Sequence, residues 1–287
     1  MTFSLFIEQS LNGVQLGVQL FLMSAGLTLV FGIMNLINLA HGSLYLLGAY
    51  IGFVIGDATG SWVLAVLAGF ISSALVGLFL QIAVFRFMQG QDLRQTMVTI
   101  GISIVLADIM LWIFGGEIYQ FDPPNWMVGT LRLPVVEAFP VYRVLVLLAA
   151  IVIGVALWWF LNKTRVGMMI RAGSTNREMV QSLGIDIQFL YRVVFAAGVA
   201  IAVLAGMVAA PVSSVYPGMG NQVLIICFVV VVIGGIGSIR GALLAAMLIG
   251  FVDTFGKVLL PQAAGVLVYV LMALILLWKP DGLFKAG

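Results

Sequence analysis

Residues 144–161, VLVLLAAIVIGVALWWFL, decide the fold class, and residues 162–186, NKTRVGMMIRAGSTNREMVQSLGID, are their polar counterpart. The first segment is an uninterrupted apolar run of the length that crosses the hydrocarbon core of a bilayer. The second is the one sizeable polar stretch of the chain, and Lys163, Arg165 and Arg171 lie in it. Positive charge concentrates in cytoplasmic loops, so we expect residues 162–186 to face the cytoplasm.

Composition extends this conclusion to the whole chain of 287 residues. Hydrophobic residues make up 63% and charged residues 8%, against about 25% charged in an ordinary soluble domain. Such a chain lacks the polar surface that a soluble fold needs, so it is a polytopic membrane protein. The net charge of +2 does not indicate nucleic-acid binding, and the single cysteine, Cys227, excludes a disulfide framework.

The hydropathy pattern predicts nine membrane-spanning segments in one transmembrane domain over residues 1–287. We expect a compact all-α bundle of about eight to ten helices, in which the seventh and eighth are short enough to be broken or tilted. The first segment lacks an Ala-x-Ala-like cleavage site and is interpreted as retained. The predicted spans are Val14–Met34, Ile37–Ile55, Trp62–Val84, Met97–Phe114, Val144–Leu161, Phe189–Ala209, Val223–Ile236, Ala242–Val258 and Val266–Trp278.

The distribution of basic residues predicts the orientation of this bundle. If the spans alternate, one side collects Arg86, Arg94, the cluster at 163–177, Arg240 and Lys279. The positive side faces the cytoplasm, so we expect the N-terminus outside and the C-terminus inside. Two arginines between residues 131 and 144 run against this orientation.

A short amphipathic helix is predicted within the polar segment at about 163–186. Thr175 and Glu178 stand at the spacing of a capping box, and Gly184 supplies a residue that commonly ends a helix. A helix of about two turns is unstable alone, so it must pack against something.

Three apolar residues of this helix, Met179, Val180 and Leu183, are expected on one face, and Arg177 lies elsewhere. The sequence leaves two interpretations open. The helix docks on another protein in the cytoplasm, or it lies on the lipid headgroups.

Polar residues inside the apolar segments are candidates for a path through the membrane. Asn35, Asn38 and His41 spread over about 120° if their segment is helical, and intramembrane polar groups face a bundle interior or a cavity. They line or gate a path, or they hold loose backbone at the junction of the first two spans. His41 has no second ligand at suitable spacing, so we expect no metal site.

Two further features belong to the candidate path. Gly234, Gly235 and Gly237 predict a break between half-helices, which is tolerated where protein or a cavity covers it, and this stretch resembles His41-Gly42 as an internal repeat. Asp108 lies inside an apolar run. It takes part in conduction, accepts hydrogen bonds from a partner helix, or sits near the outer interface.

Several stretches resemble the branched-chain (hydrophobic) amino-acid ABC-transporter permease family. Residues 31–42, FGIMNLINLAHG, are similar to the family's signature, which continues to Gly48-Ala-Tyr50. IGGIGSIRG at 233–241 and KPDGLF at 279–284 look like its later signatures. EMVQSLG at 178–184 resembles the Glu-Ala-Ala-x-x-x-Gly loop of ABC importers, with Met179 and Val180 replacing the alanines.

The resemblance covers about residues 12–284 and implies a permease subunit of a bacterial inner-membrane importer for branched-chain or related amino acids. It implies a second homologous permease, two cytoplasmic ATPase subunits and a periplasmic binding protein as partners. No cofactor would bind this chain, because ATP and Mg would lie on the ATPase subunits. The residues that would contact an ATPase are Thr175, Arg177, Glu178, Met179, Val180, Leu183 and Gly184.

The sequence offers no ATP-binding or catalytic motif of its own. The segment from Gly250 to Lys257 has one residue too many between its glycines, and Val258 follows where a phosphate-binding loop needs Ser or Thr. One histidine supports no Ser-His-acid set, so we expect no enzyme. Two alternatives to the importer remain: an intramembrane enzyme, and an ion-gradient-driven secondary transporter of amino acids or small amides.

Overall fold

The computed structural model describes residues 3–34, 36–88, 90–120, 123, 125–131 and 139–284, without the side chains of Asn125, Thr175 and Arg177. These residues form eleven α-helices, two short 3-10 helices and one two-stranded antiparallel sheet. The helices are α1 Phe3–Met34, α2 His41–Thr59, α3 Trp62–Ala83, α4 Asp92–Phe114, α5 Val141–Lys163, α6 Arg165–Thr175, α7 Arg177–Ser182, α8 Ile187–Ala209, α9 Met219–Gly234, α10 Ile239–Leu259 and α11 Ala264–Trp278. The 3-10 helices are Phe85–Met88 and Asn125–Met127, and the strands are β1 Thr130–Leu131 and β2 Phe139–Pro140.

The predicted fold class, an all-α polytopic membrane protein, is confirmed. Seven helices (α1 to α5, α8 and α10) are long and apolar enough to cross a membrane, and α9 and α11 are shorter apolar helices. Within the described residues, these nine helices correspond to the nine predicted spans.

Several predicted boundaries are wrong. Helix α1 begins at Phe3 rather than Val14, and α2 begins at His41 rather than Ile37. The short helices are α9 and α11, with 16 and 15 residues, whereas α10 has 21. Hydropathy misses the start of α2 because it does not register where the backbone leaves helical geometry. It places the start of α1 too late because Glu8, Gln9 and Asn12 interrupt the apolar run.

The centre of the bundle is formed by α1, α2, α8 and α9. Helix α8 packs on α1, α2 and α3, and α9 packs on α1, α2 and α10. In the most apolar windows of α3, α4 and α5, no more than 22% of the residues are buried. The outer faces of these helices and of the peripheral α11 carry exposed apolar side chains, such as Trp112 of α4 and Leu277 of α11. Such surfaces are expected for helices that contact lipid.

The helices α1–α2–α3 and α8–α9–α10 repeat one arrangement. The first helix of each triplet runs antiparallel to the third helix of the other triplet, so α1 pairs with α10 and α8 with α3. The contacts that define these directions are Gly13 with Phe251, Gly17 with Met247, Gly69 with Met207 and Gly77 with Ala196. The chain is therefore built from two interlocked triplets around a common centre.

The middle helices of the two triplets meet at their first turns. Gly42 of α2 and Gly220 of α9 lie backbone to backbone, and a Cβ atom added to either would collide with the other's carbonyl group. The predicted internal repeat of His41-Gly42 with Gly234–Gly241 is therefore wrong. The counterpart of His41-Gly42 is Met219-Gly220, which begins the equivalent helix.

This contact predicts a large difference between two Gly→Ala substitutions. Gly42→Ala forces the backbones of α2 and α9 apart, and overpacking of this kind costs about 1–3 kcal/mol. Gly101→Ala on α4 is the control, because open space surrounds that position. Thermal unfolding of the purified protein in detergent should show a lower transition for Gly42→Ala alone. Equal transitions for the two variants would contradict the contact.

Candidate functional site

The connection between α1 and α2 re-enters the bundle. His41 Nε2, at the start of α2, lies 2.7 Å from the carbonyl oxygen of Met23 in α1. Met23 precedes the end of α1 at Met34 by about three turns, which corresponds to about 16 Å along the helix. The chain between the two helices therefore returns into the bundle as irregular backbone, and α2 begins deep inside it.

Side chains satisfy the backbone of this irregular segment. The amide of Leu39 donates to Thr99 Oγ1 of α4 at 3.1 Å, and the amide of Ala40 donates to Asn38 Oδ1 at 3.1 Å. Leu36 and Ala40 are fully buried. Non-helical backbone at membrane depth is tolerated only when protein or a cavity supplies its hydrogen bonds. Sequence reasoning missed Thr99, because nothing in the sequence links it to a segment 60 residues away.

The residues predicted for the path fall into two groups: an inner group that is buried at the break, and an outer group that is exposed on α4. Asn38 and His41 are each 1% exposed, and both are hydrogen-bonded to backbone. Holding loose backbone, one of the two interpretations that the sequence leaves open, accounts for the contact of Asn38, whereas His41 fixes the start of α2 to the intact helix α1. Asn35 lies outside the described residues, and a role of these side chains in conduction stays a prediction.

Asp108 belongs to the outer group. It is exposed on α4, a helix whose main neighbours are α2 and the 3-10 helix Phe85–Met88. The structure therefore does not bring Asp108 together with the buried Asn38 and His41. It places the carboxylate on a face of α4 that the other described residues leave open.

The predicted glycine-rich break is a turn between α9 and α10. Gly235 has φ 96° and Gly237 has φ 77°, conformations that side chains other than glycine rarely adopt. The C-terminal segment closes this turn, since the amides of Leu283 and Phe284 donate to the carbonyls of Ile233 and Gly234 at 2.8 and 3.1 Å. The last carbonyl groups of α9 are satisfied in this way.

The polar segment at 162–186 contains two helices, α6 and α7, where the sequence predicts one. Asn176 caps α7, and its Oδ1 accepts from the amide of Met179 at 3.0 Å. Thr175 is the last residue of α6, so the predicted capping box of Thr175 with Glu178 is wrong by one residue. Asparagine also favours the N-cap position. The side chains of Thr175 and Arg177 lie outside the described residues.

The end of α7 is formed as predicted, but its apolar face is not. Gly184 has φ 79° and its amide donates to the carbonyl of Gln181 at 2.9 Å. Val180 is 3% exposed and packs in the core, whereas Met179 is 64% and Leu183 74% exposed. The prediction that all three share one face is therefore wrong. Val180 anchors the helix, and the other two present apolar surface outward.

A short, closed connection joins α7 to α8. The amide of Ile185 donates to the Val180 carbonyl at 3.3 Å, and the amide of Gln188 donates to Asp186 Oδ1 at 2.8 Å. Arg192 forms an ion pair with Asp186 at 3.3 Å. Helix α8, which follows this connection, packs on α1, α2 and α3.

These features define a multi-pass membrane protein: apolar helices with a buried break at their centre and short capped helices at one end. The family described as "Branched-chain amino acid transport system / permease component" matches residues 10–277, and the chain belongs to it.

Individual relatives extend over nearly the whole chain. The permease protein BraD of the high-affinity branched-chain amino acid transport system of Pseudomonas aeruginosa is 30% identical, with 97% of this chain and 95% of the relative covered. The corresponding LivH proteins of Escherichia coli K12 and Salmonella typhimurium are 29% and 28% identical, with 98% of this chain and 96% of each relative covered. No solved structure matches the chain.

Proposed function

We propose that this permease is the membrane-spanning subunit of an ATP-driven ABC importer in a bacterial inner membrane, and that it translocates branched-chain or related amino acids delivered by a periplasmic binding protein. The names of its relatives support the substrate class. The observation that carries the ATP-driven part is α7, a capped helix that anchors itself by Val180 and leaves Met179 and Leu183 exposed.

The exposed pair on α7 is the contact for a cytoplasmic ATPase subunit. Met179 and Leu183 lie four residues apart, so they share one side of the helix. Burying each side chain against the ATPase subunit contributes about 1.5–3 kcal/mol to binding. The fold of α7 does not depend on this contact, because Val180 and the Asn176 cap stabilise it. A second homologous permease and a second ATPase subunit complete the complex, and ATP and Mg bind the ATPase subunits alone.

Movement of α7 changes the permease through α8. Gly206 of α8 lies backbone to backbone against Tyr45 in the second turn of α2, close to the buried break at 36–40. A pull on α7 therefore shifts α8 against the start of α2. Since packed helices slide between discrete arrangements, this shift switches the permease between outward-facing and inward-facing states.

The open face of α4 is where we place the substrate path, between this chain and the second permease. A carboxylate that faces lipid is costly, so charged groups in spans face a water-filled cavity or another protein. Asp108 on this face would attract the ammonium group of an amino acid. Asn38 and His41 support the break behind this face.

The orientation follows from the charges. The end that carries α6, α7, Arg86 and Arg94 faces the cytoplasm, so the N-terminus is periplasmic and the C-terminus cytoplasmic.

A charge placed in the exposed α7 pair should abolish coupling. In Leu183→Asp, a carboxylate would be buried against the ATPase without a partner, which is strongly unfavourable. Amino-acid uptake in cells should fall at least about tenfold and the ATPase subunits should no longer copurify, while membrane levels stay normal. Gln181→Asp, an exposed neighbour on the same helix, should behave almost like the parent protein. Unchanged uptake in Leu183→Asp would refute the docking role.

Thiol labelling tests the orientation. Cys227 is 1% exposed and gives no background, so a single new cysteine can be followed with a membrane-impermeant maleimide. Trp126→Cys should be labelled in intact spheroplasts, and Gln91→Cys only after the membrane is opened. The reverse pattern would invert the proposed topology.

Asp108→Leu distinguishes a path from a lipid-facing position. If Asp108 attracts the substrate, uptake should fall about tenfold with normal amounts of protein in the membrane. If it faces lipid, leucine should leave uptake unchanged and raise stability. Asp92→Leu, at the exposed first turn of the same helix, controls for the loss of a carboxylate.

A further inference from the structure

Two cavities adjoin along α5, on a side of the bundle that neither α7 nor the Asp108 face occupies. One has a volume of about 360 Å³ and lies at the end of the bundle near α6, and the other has a volume of about 300 Å³ and runs along the helices. Trp158, Ile239 and Arg240 line both cavities. The two cavities therefore meet at these three residues, and we call the pair the groove; its two ends are unlike.

The end near α6 is polar and positively charged. Arg171 and Arg240 line it, together with the hydroxyl groups of Ser174 and Ser238. Arg171 Nη1 donates to Asn162 Oδ1 at 2.7 Å, which directs the guanidinium to this site. The described lining includes two arginines and no carboxylate, so this end of the groove is complementary to an anion.

The other end of the groove is apolar. Helices α5 and α10 both pack on α1, and the groove lies between them, over the α1 side chains Val18 and Phe21. Gly154 of α5 leaves room in its wall. The α5 residues that line it extend from Ala150 to Trp158, about 12 Å along the axis.

We propose that this groove binds one anionic phospholipid of the surrounding bilayer, with an acyl chain along α5 and the phosphate between Arg171 and Arg240. Charge complementarity supports this occupant, since basic pockets between membrane helices bind anionic headgroups. Its depth supports it as well: Trp158, at the junction of the two parts, has the amphipathic character of residues at the membrane–water interface. The groove opens toward lipid through Ile151 and Val155, which are half exposed.

The bound lipid fills the space between α5 and α10 and links α6 to the start of α10. The site does not depend on the proposed function, because it needs only the fold and a bilayer with anionic lipid. A phospholipid as occupant distinguishes the groove from a binding site for free phosphate and from a surface that a second protein covers.

Lipid retention on the full-length purified chain tests this proposal. Native mass spectrometry would compare phosphatidylglycerol with phosphatidylethanolamine of the same acyl chains, and a separate arm would add inorganic phosphate. We expect about tenfold tighter retention of phosphatidylglycerol. The double variant Arg171→Gln, Arg240→Gln should lose this preference, whereas Arg94→Gln at the same end should keep it.

A second pair of variants tests the acyl-chain part. Leu243→Trp should block the groove and release phosphatidylglycerol, whereas Leu244→Trp, similarly exposed but outside the groove, should not. Because both arginines are exposed, the double variant should fold even where Leu243→Trp fails to.

A preference that survives in the double variant overturns the proposal. Displacement of the lipid by inorganic phosphate indicates a free-anion site, and a protein chain seated in the groove of a purified complex indicates a subunit interface. Either result also overturns it.

Discussion

The structure depends on one constraint: backbone that leaves helical geometry inside a bilayer finds no water to bind. The segment at 36–40 leaves α1, returns about 16 Å into the bundle and starts α2 beside the middle of α1. The chain meets the constraint with its own side chains, because Asn38 and Thr99 bind amides of the segment and His41 binds a carbonyl of α1. Hydrogen bonds to backbone are thus made by polar residues that the sequence also marks as candidates for a transport path, and their role in conduction stays a prediction.

A supported break gives a membrane protein a place where packing can change without losing hydrogen bonds within intact helices. Here the break lies where the two helix triplets cross, at the contact of Gly42 with Gly220. Helix α8 reaches this centre from the end that carries α7, and the Ile185 amide closes the connection between the two helices by donating to the Val180 carbonyl. In the proposed function, this arrangement links the exposed apolar pair Met179 and Leu183 at the bundle's end to the start of α2. Helix α4 supplies Thr99 to this centre, whereas Asp108, nine residues further along, lies on the opposite side of α4.

The sequence predicted the class, the nine apolar helices and the polar segment that holds α7, because apolar length and charge are properties of the sequence alone. It misplaced the ends of α1 and α2, and it assigned the α7 cap to Thr175 instead of Asn176, since neighbouring residues share the same capping preference. It could not separate buried Val180 from exposed Met179 and Leu183, because a helix this short has too few residues to define a face. Nor did it show that Asp108 faces outward, because a helix that is apolar on all sides carries no sign of which side meets its neighbours.

Reconstitution in proteoliposomes tests the central claim most directly. The chain would be combined with its second permease, its ATPase subunits and a binding protein, and uptake of a radiolabelled branched-chain amino acid would be measured. The account predicts uptake that requires ATP and stops when the ATPase subunits are omitted, even with a proton or sodium gradient across the membrane. Uptake by this chain alone, driven by an ion gradient without ATP, would contradict it and identify a secondary transporter.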